Sequence, residues 1–143
     1  MDFGYGADDA CVVDAHINGA PRHVSLRFDE AVRLALDVRV PKRVRAPQFI
    51  LDIMDGKGLQ ISGRRVALPL NTASDIAHLD IAFRATLQKG VYRLRMRIVD
   101  APTLEQTTVL SRQEGWLSFD VVDDSRDHFT GLFPMPMDIA VRD

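Results

Sequence analysis

The chain has 143 residues, 46% of them hydrophobic, which is enough for one domain with a single hydrophobic core. Its 18 basic and 20 acidic residues give a formal net charge of −2, and this near-balance argues against a general binder of nucleic acids or anionic membranes. Because Cys11 is the only cysteine and no apolar segment suits a signal peptide or a membrane span, we expect a reducing, cytoplasmic environment and no intrachain disulfide.

The first half of the chain predicts short β-strands separated by turns. Residues 1–9 are rich in turn formers and are expected to form a loop. Strands are predicted at residues 10–17 and 22–28, the second of them short and at a sheet edge. Apolar residues at every even position from 32 to 40 indicate a half-buried central strand, and the next strand is predicted at residues 47–54.

A hairpin turn is predicted at Asp55-Gly56, a pair typical of tight connections between two strands. The chain then returns in a strand at residues 59–65. After a polar stretch, apolar and polar residues alternate again at residues 76–85. The middle of the chain therefore continues the all-β pattern of the first half.

The strand predicted at residues 90–99 organises the rest of the chain. Its apolar residues alternate with arginines, as expected for a strand with one buried face. Tyr92 follows the Lys89-Gly90 turn, as in the tyrosine corner of immunoglobulin-like sandwiches, where the hydroxyl bonds to nearby backbone. The opposite face of this strand is a candidate binding surface, and it carries Arg93, Arg95 and Arg97.

The last third of the chain predicts two more strands and a large share of irregular structure. Residues 100–114 are expected to be irregular, as a loop or a short broken strand, 115–122 to form a strand, and 123–130 to form an acidic loop. Two prolines precede a final edge strand predicted at residues 138–142. No segment sustains a helical period. We therefore predict an all-β, immunoglobulin-like antiparallel β-sandwich of about eight strands, in a single domain covering residues 1–143.

Several short motifs, in this order and with this spacing, resemble those of one known family. The motifs are Phe3-Gly4-Tyr5-Gly6, Asp55-Gly56-Lys57-Gly58, Lys89-Gly90-Val91-Tyr92-Arg93-Leu94, Leu117-Ser118-Phe119-Asp120-Val121-Val122-Asp123 and the closing segment from Gly131 to Arg142. Together they resemble the C-terminal domain of Wzt, the ATP-binding subunit of the ABC transporters that export O-antigen polysaccharide. The resemblance covers nearly the whole chain, although each motif alone is common among β-sandwiches.

The resemblance implies a homodimeric, immunoglobulin-like sandwich that binds the modified end of a finished glycan at the cytoplasmic face of the inner membrane. Binding there selects the polymer for export, with a transporter ATPase domain and a membrane subunit as partners. Where such domains exchange an edge strand between protomers, either terminal strand of this chain would serve. The sequence has no phosphate-binding G-x-x-x-x-G-K-[ST] loop, so the resemblance implies an excised domain or a stand-alone relative, without a cofactor.

In an immunoglobulin-like order, four of the predicted strands share one sheet, so their outward residues collect on one surface. Sugars are bound by planar polar side chains that pair with neighbouring hydroxyls, and by aromatic rings that cover the apolar side of a pyranose. Arginines also hold a terminal phosphate by forked hydrogen bonds. The predicted carbohydrate contacts are Gln48, Asp52, Arg93, Arg95, Arg97, Trp116 and Ser118. Gln60, Ser62, Arg64 and Asp120 are expected on the same surface.

The same residues also allow a reading without glycan binding. Arginines and acids on a sheet face can form a solvated surface with cross-strand ion pairs, such as Asp52 with Arg95, in a structural protein-interaction sandwich. Trp116 is either a sugar platform, or packs beneath residues 100–114 or in a dimer contact. Ile50 and Met54 are apolar on the same face, which indicates that a partner chain or a loop covers part of it.

Templates for enzymes and metal sites find no match in the sequence. The four histidines lack ligand spacing and are expected to lie isolated on the surface, and one cysteine cannot build a thiolate zinc site. A nucleophile elbow is absent. A glycosidase would need two facing carboxylates, for which Asp52 with Asp120 or Glu114 is the pair to consider. We predict a non-catalytic protein without a metal, a cofactor or a nucleic-acid partner.

Overall fold

The computed structural model describes residues 4–6, 10–69, 74–103, 105–124 and 128–142, with only the backbone described for residues 4–6. These residues form nine β-strands. No helix among them is long and apolar enough to cross a membrane. In chain order the strands are β1 (Gly4–Gly6), β2 (Cys11–Ile17), β3 (His23–Leu26), β4 (Ala31–Arg39), β5 (Pro47–Asp55), β6 (Gln60–Ala67), β7 (Ile76–Arg84), β8 (Gly90–Asp100) and β9 (Thr108–Val121).

The strands form two sheets, which confirms the predicted all-β sandwich. The larger sheet has the order β1-β9-β8-β5-β6, and β3 also pairs with β9. The smaller sheet has the order β2-β4-β7. All described pairs are antiparallel except β3 with β9, which is parallel and therefore departs from the predicted antiparallel arrangement.

The core lies between the two sheets and comes from the alternation that the sequence shows. On β4 the even-numbered apolar residues are buried, and β4 lies between β2 and β7, as predicted for a central strand. On β8, Leu94, Met96 and Ile98 are fully buried in the same core. Each such side chain contributes about 1.5–3 kcal/mol to folding. The inward face of β8 is thus fixed by packing, which holds its opposite face in a defined position.

Tyr92 forms the predicted tyrosine corner at the start of β8. Its hydroxyl donates a hydrogen bond to the carbonyl oxygen of Gln88, at an Oη–O distance of 2.7 Å. The ring stacks on Phe119 of β9 with centroids 5.4 Å apart. Burial, and to a smaller extent the charge of Asp55, raises the pKa of Tyr92 above its ordinary value. The corner therefore ties the turn before β8 to the core.

Replacing Tyr92 with Phe is expected to destabilise the domain by about 1 kcal/mol, because the half-buried Gln88 carbonyl loses its hydrogen bond. The ring stacking on Phe119 is retained in this variant. Urea unfolding should show a lower midpoint with an unchanged slope. An unchanged midpoint would mean that the corner hydrogen bond makes no net contribution to stability.

Three sequence predictions for chain segments are wrong. Residues 108–114 belong to β9, which runs for 14 residues along β8 instead of starting after an irregular region. Two register shifts in the β8–β9 pair interrupt the alternation, which hid the first half of the strand. Within the loop predicted at 1–9, residues 4–6 form β1; residues 1–3 and 7–9 lie outside the described part of the chain.

The third wrong prediction concerns the C-terminal strand. Residues 132–142 have no regular secondary structure, so the edge strand predicted at 138–142 is absent from the single chain. Just before this segment, the side chain of Gln88 donates hydrogen bonds to the carbonyl oxygens of Phe129 and Gly131. These two hydrogen bonds hold the chain to the sandwich at Phe129 and Gly131. In the loop predicted at 123–130, residues 125–127 lie outside the described part.

Candidate functional site

The outer face of the larger sheet collects the polar residues that the sequence placed there. As predicted, β5, β6, β8 and β9 are all in this sheet. Asp52 lies opposite Arg95, and Arg93 lies opposite Ser118. We call this surface the arginine face and define it by Gln48, Asp52, Gln60, Arg65, Arg93, Arg95, Arg97, Arg112, Glu114, Ser118 and Asp120, together with His23 and Ser25 on β3.

Asp52 is the centre of the arginine face and is itself buried, with 1% of its surface exposed. Its Oδ2 accepts hydrogen bonds from Arg95 Nε at 2.9 Å and from Arg97 Nη2 at 2.8 Å. Its Oδ1 accepts a bond from Gln60 Nε2 at 3.0 Å, and Arg95 Nη2 donates to Gln60 Oε1 at 3.4 Å. Asp52 is therefore closed off by its partners in the free protein, and its predicted contact with carbohydrate stays a prediction.

A second ion cluster lies beside the first. Glu114 accepts a hydrogen bond from Arg93 Nε at 2.7 Å and another from Arg112 Nη2 at 3.2 Å. Arg93 also donates through Nη1 to the backbone oxygen of Asp55 at 3.3 Å. Arg93 is thus fixed between two strands. The sequence analysis named neither Arg112 nor Glu114 as a carbohydrate contact, because the first half of β9 was predicted to be irregular.

A third polar cluster joins β3 to β9. His23 contacts Ser118 Oγ through Nδ1 and Asp120 Oδ1 through Nε2, both at 2.7 Å. Ser25 Oγ also donates to Asp120 Oδ1 at 2.7 Å. This hydrogen bond is the main cause that lowers the pKa of Asp120, and His23 lowers it further. The prediction that His23 lies isolated is therefore wrong.

The His23 cluster has the residue types of a serine hydrolase but lacks a feature that such chemistry needs. A triad requires backbone donors beside the nucleophile to stabilise the oxyanion. The backbone N–H of Ser118 instead donates to the carbonyl oxygen of Arg22 at 2.9 Å. Similarly, the carboxylates of Asp52 and Glu114 are each held by two arginines. These contacts are typical of a fixed polar surface.

Gln48 and Trp116 have different environments. Gln48 Oε1 accepts a hydrogen bond from Arg65 Nη1 at 3.1 Å, so Gln48 belongs to the arginine face. Trp116 is half-buried and packs against the hydrophobic core, next to Gly115 in a left-handed conformation (φ 85°) and to a register shift. This packing is closer to the alternative in which Trp116 packs within the fold, and its role as a carbohydrate contact stays a prediction.

Two other predicted members of this surface face elsewhere. A register shift near the β5–β6 turn changes which residues of β6 point outward. Gly63 and Arg65 consequently lie opposite the outward residues of β5, whereas Ser62 and Arg64 lie opposite its inward ones. Ile50 and Met54 are on the outer face, as predicted, but they are already buried within the single chain.

The arginine face carries the opposite charge to the protein as a whole. Its five arginines (Arg65, Arg93, Arg95, Arg97 and Arg112) exceed its three carboxylates (Asp52, Glu114 and Asp120) by a formal charge of +2 with His23 neutral. The whole chain has a formal net charge of −2. No group of three or more His, Cys, Asp or Glu residues in the described part of the chain forms a metal site. The face therefore favours ligands with oxygen acceptors or negative charge.

A second surface feature is an apolar cleft of about 630 Å³ on the opposite side of the sandwich from β1. It lies between β6 and β7, each the last strand of its sheet among the described residues. Its walls include the core residues Phe49 and Leu51 and the half-buried Phe83, and Phe133 of the C-terminal segment also lines it. The sandwich is thus open along this edge.

Comparison with known proteins agrees with this architecture. The family model of the Wzt C-terminal domain matches residues 3–135. The crystal structure of the C-terminal domain of Wzt has a TM-score of 0.74 and 16% identity, and the match covers 99% of this chain and 89% of that chain. An identity this low supports the fold alone. A search of curated proteins gives no match.

A structure of Bifidobacterium dentium β-glucuronidase with coumarin-3-O-glucuronide also matches, over 79% of this chain and 18% of that chain, with 18% identity. Its TM-score of 0.47 is too low to support a conclusion. The assignment therefore depends on the family model, which spans nearly the whole chain. The chain belongs to the Wzt C-terminal domain family.

Proposed function

We propose that this domain binds the end of an O-antigen polysaccharide on the arginine face, without catalysis, and so provides substrate recognition for export by an ABC transporter. The observation that carries the proposal is the pair of guanidinium groups of Arg95 and Arg97, fixed on one carboxylate oxygen at 2.9 and 2.8 Å. Family membership supplies the biological setting.

The geometry suits a ligand that is rich in oxygen atoms. Arg95 and Arg97 keep 17% and 28% of their side-chain surfaces exposed, so each has donors left to offer after bonding to Asp52. Ser118 and the His23–Asp120 pair add hydroxyl, imidazole and carboxylate groups on the same sheet face. Such groups pair with sugar hydroxyls, and the arginines hold a phosphate or carboxylate at the glycan end by forked bonds.

In this proposal the domain acts by reversible capture. The glycan end binds at the cytoplasmic face of the inner membrane, where the transporter ATPase domain and the membrane subunit are its partners. A net positive face on a net negative protein attracts an anionic glycan end and repels cationic ligands. Recognition of the glycan end and ATP hydrolysis then reside in different domains.

We also propose that the domain is a homodimer formed through its C-terminal segment. Odd-numbered residues of this segment are apolar and are 52–93% exposed: Phe133, Met135, Met137, Ile139 and Val141. From Met137 onward the apolar residues alternate with Asp138, Ala140 and Arg142, as in a strand with one more apolar face, yet in the single chain the segment pairs with no described strand. The cleft between β6 and β7 of a second copy offers two open strand edges and an apolar floor.

A protein-interaction module without glycan binding is the alternative, and the exposed C-terminal segment is the observation that favours it. The two functions predict different behaviour toward polysaccharide. An interaction module ignores every glycan end, whereas a recognition domain distinguishes a finished end from an unfinished one.

Calorimetric titration with O-polysaccharide from the source organism tests the proposal. The expected result is binding of the native polymer, with one glycan end per protein chain. The same polymer with its terminal group removed, and an unrelated dextran, serve as controls and are expected to bind at least tenfold more weakly. Equal binding of all three polymers, or of none, would contradict recognition of a glycan end.

A further inference from the structure

We propose that Asp52 is a positioning residue of the arginine face, which sets the spacing of Arg95 and Arg97 and does not touch the glycan. This inference depends on the proposed function for its ligand. Two like-charged guanidinium groups lie side by side in the free protein because both contact the Asp52 carboxylate, which its neighbours enclose.

The backbone of β6 encloses the Asp52 carboxylate on one side. Gly63 lies directly opposite Asp52, and a Cβ atom at Gly63 would lie 2.6 Å from Asp52 Oδ1 and 2.9 Å from Gln60 Nε2. A side chain at position 63 would therefore displace the carboxylate or the amide. Along β5, the neighbouring outward residues Ile50 and Met54 are also buried. Asp52 is thus enclosed by Gly63 and by its hydrogen-bond partners, with a buried apolar residue on either side of it along β5.

A carboxylate buried in this way is strongly unfavourable unless cations compensate it. Arg95 and Arg97 supply that compensation through a single oxygen, Oδ2. The need for charge compensation holds both guanidinium groups beside Asp52 Oδ2, although they carry the same charge. Gln60 completes a hydrogen-bonded ring with Asp52 and Arg95, since it donates to Asp52 and accepts from Arg95. Two long, flexible side chains are therefore ordered in the free protein, which lowers the entropy cost of binding a ligand.

Replacing Asp52 with Asn separates this role from simple charge attraction, because the two effects have opposite signs. The side chain keeps its shape, but the formal charge of the Asp52, Arg95 and Arg97 cluster rises from +1 to +2. If the arginines act only through their charge, an anionic glycan end binds the Asn variant more tightly. If Asp52 positions them, the same variant binds more weakly, and we expect a loss of about tenfold or more.

The experiment measures the dissociation constant of native O-polysaccharide for the wild type and for Asp52→Asn, at a temperature where circular dichroism shows both folded. Asp14→Asn is the matched control, since it makes the same charge change at an exposed position on the smaller sheet. It is expected to bind as the wild type does. Equal or tighter binding by Asp52→Asn would overturn the proposal.

A second readout needs no glycan. In ¹⁵N NMR spectra, the Nε–H signal of Arg95 is expected to exchange slowly with water in the wild type and to broaden or vanish in Asp52→Asn. If the wild type binds no polysaccharide, the proposed function fails, and this signal alone decides whether Asp52 orders the arginine. Retention of the signal in Asp52→Asn would exclude the positioning role.

Two further variants cover the case in which Asp52→Asn does not fold. Gln60→Ala removes the hydrogen bond to Asp52 Oδ1 without leaving a charge unpaired, because Asp52 keeps both arginines. Gly63→Ala displaces the carboxylate without changing any charge. Both are expected to weaken glycan binding severalfold and to speed the exchange of the Arg95 Nε–H. Wild-type values for both quantities in both variants would contradict the proposal.

Discussion

Deleting residues 132–142 is expected to convert the protein from a dimer to a monomer. Light scattering after gel filtration should give about twice the chain mass of 16.0 kDa for the full chain and a single chain mass for the truncated one. The physical reason is the row of exposed apolar side chains, of which Met137, Ile139 and Val141 are 70–93% exposed. Burying each in the β6–β7 cleft of a partner contributes about 1.5–3 kcal/mol, and a symmetric exchange occurs twice.

Point variants test the same contact without shortening the chain. Replacing Met137 and Ile139 with Lys together puts two charges on the apolar side of the segment, where burial without a partner costs several kcal/mol each. This variant is expected to be monomeric. Asp138→Ala changes the opposite side of the segment and is expected to remain dimeric. A monomeric full-length protein, or a dimer that survives the deletion, would contradict exchange of the C-terminal segment.

The sequence was most informative where strands keep a strict period of two. On β4 and β8 the alternation identified the buried face, and on β8 it also identified the arginine row, because one core fixes both faces of each strand. The turn before β8 predicted the Tyr92 corner, and the cross-strand pair of Asp52 with Arg95 was also foreseen. Local chemistry was sufficient for these features.

The errors occur where the period is interrupted. A register shift in the β5–β6 pair turned Ser62 and Arg64 away from the outer face, and two shifts in the β8–β9 pair hid the first half of β9. Such shifts depend on how two strands fit together, which a single strand's alternation does not contain. Gly115, which the structure places in a left-handed conformation, was the local signal of an interruption in β9.

The rest of the site depends on contacts between distant segments. His23 and Ser25 reach Ser118 and Asp120 only because β3 pairs with β9 in parallel, across more than 90 residues. The matching spacing of two residues in each strand was visible in the sequence, but which strands would be neighbours was not. The burial of Asp52 has the same origin, since β6 and β8 enclose it from both sides.

The largest expected functional effect comes from replacing the whole ion cluster, with Asp52→Leu, Arg95→Met and Arg97→Met combined. Single truncations such as Arg95→Ala are less clear, because they leave the buried Asp52 with one cation fewer and lower stability as well as binding. Replacing all members of a buried ion cluster with apolar residues of similar size is often neutral for stability. The triple variant is therefore expected to fold with a nearly unchanged melting temperature.

Glycan binding by the triple variant is expected to fall at least a hundredfold, since two charge-assisted donors, each worth about 1.5–3 kcal/mol, are lost from the arginine face. Calorimetry with native O-polysaccharide measures this loss. The matched control is Asp37→Leu with Arg33→Met and Arg39→Met, the same substitutions on β4 of the smaller sheet. If the control keeps wild-type affinity and the triple variant loses it, the arginine face is the surface that recognises the glycan. Wild-type affinity in both would place the glycan site on another surface.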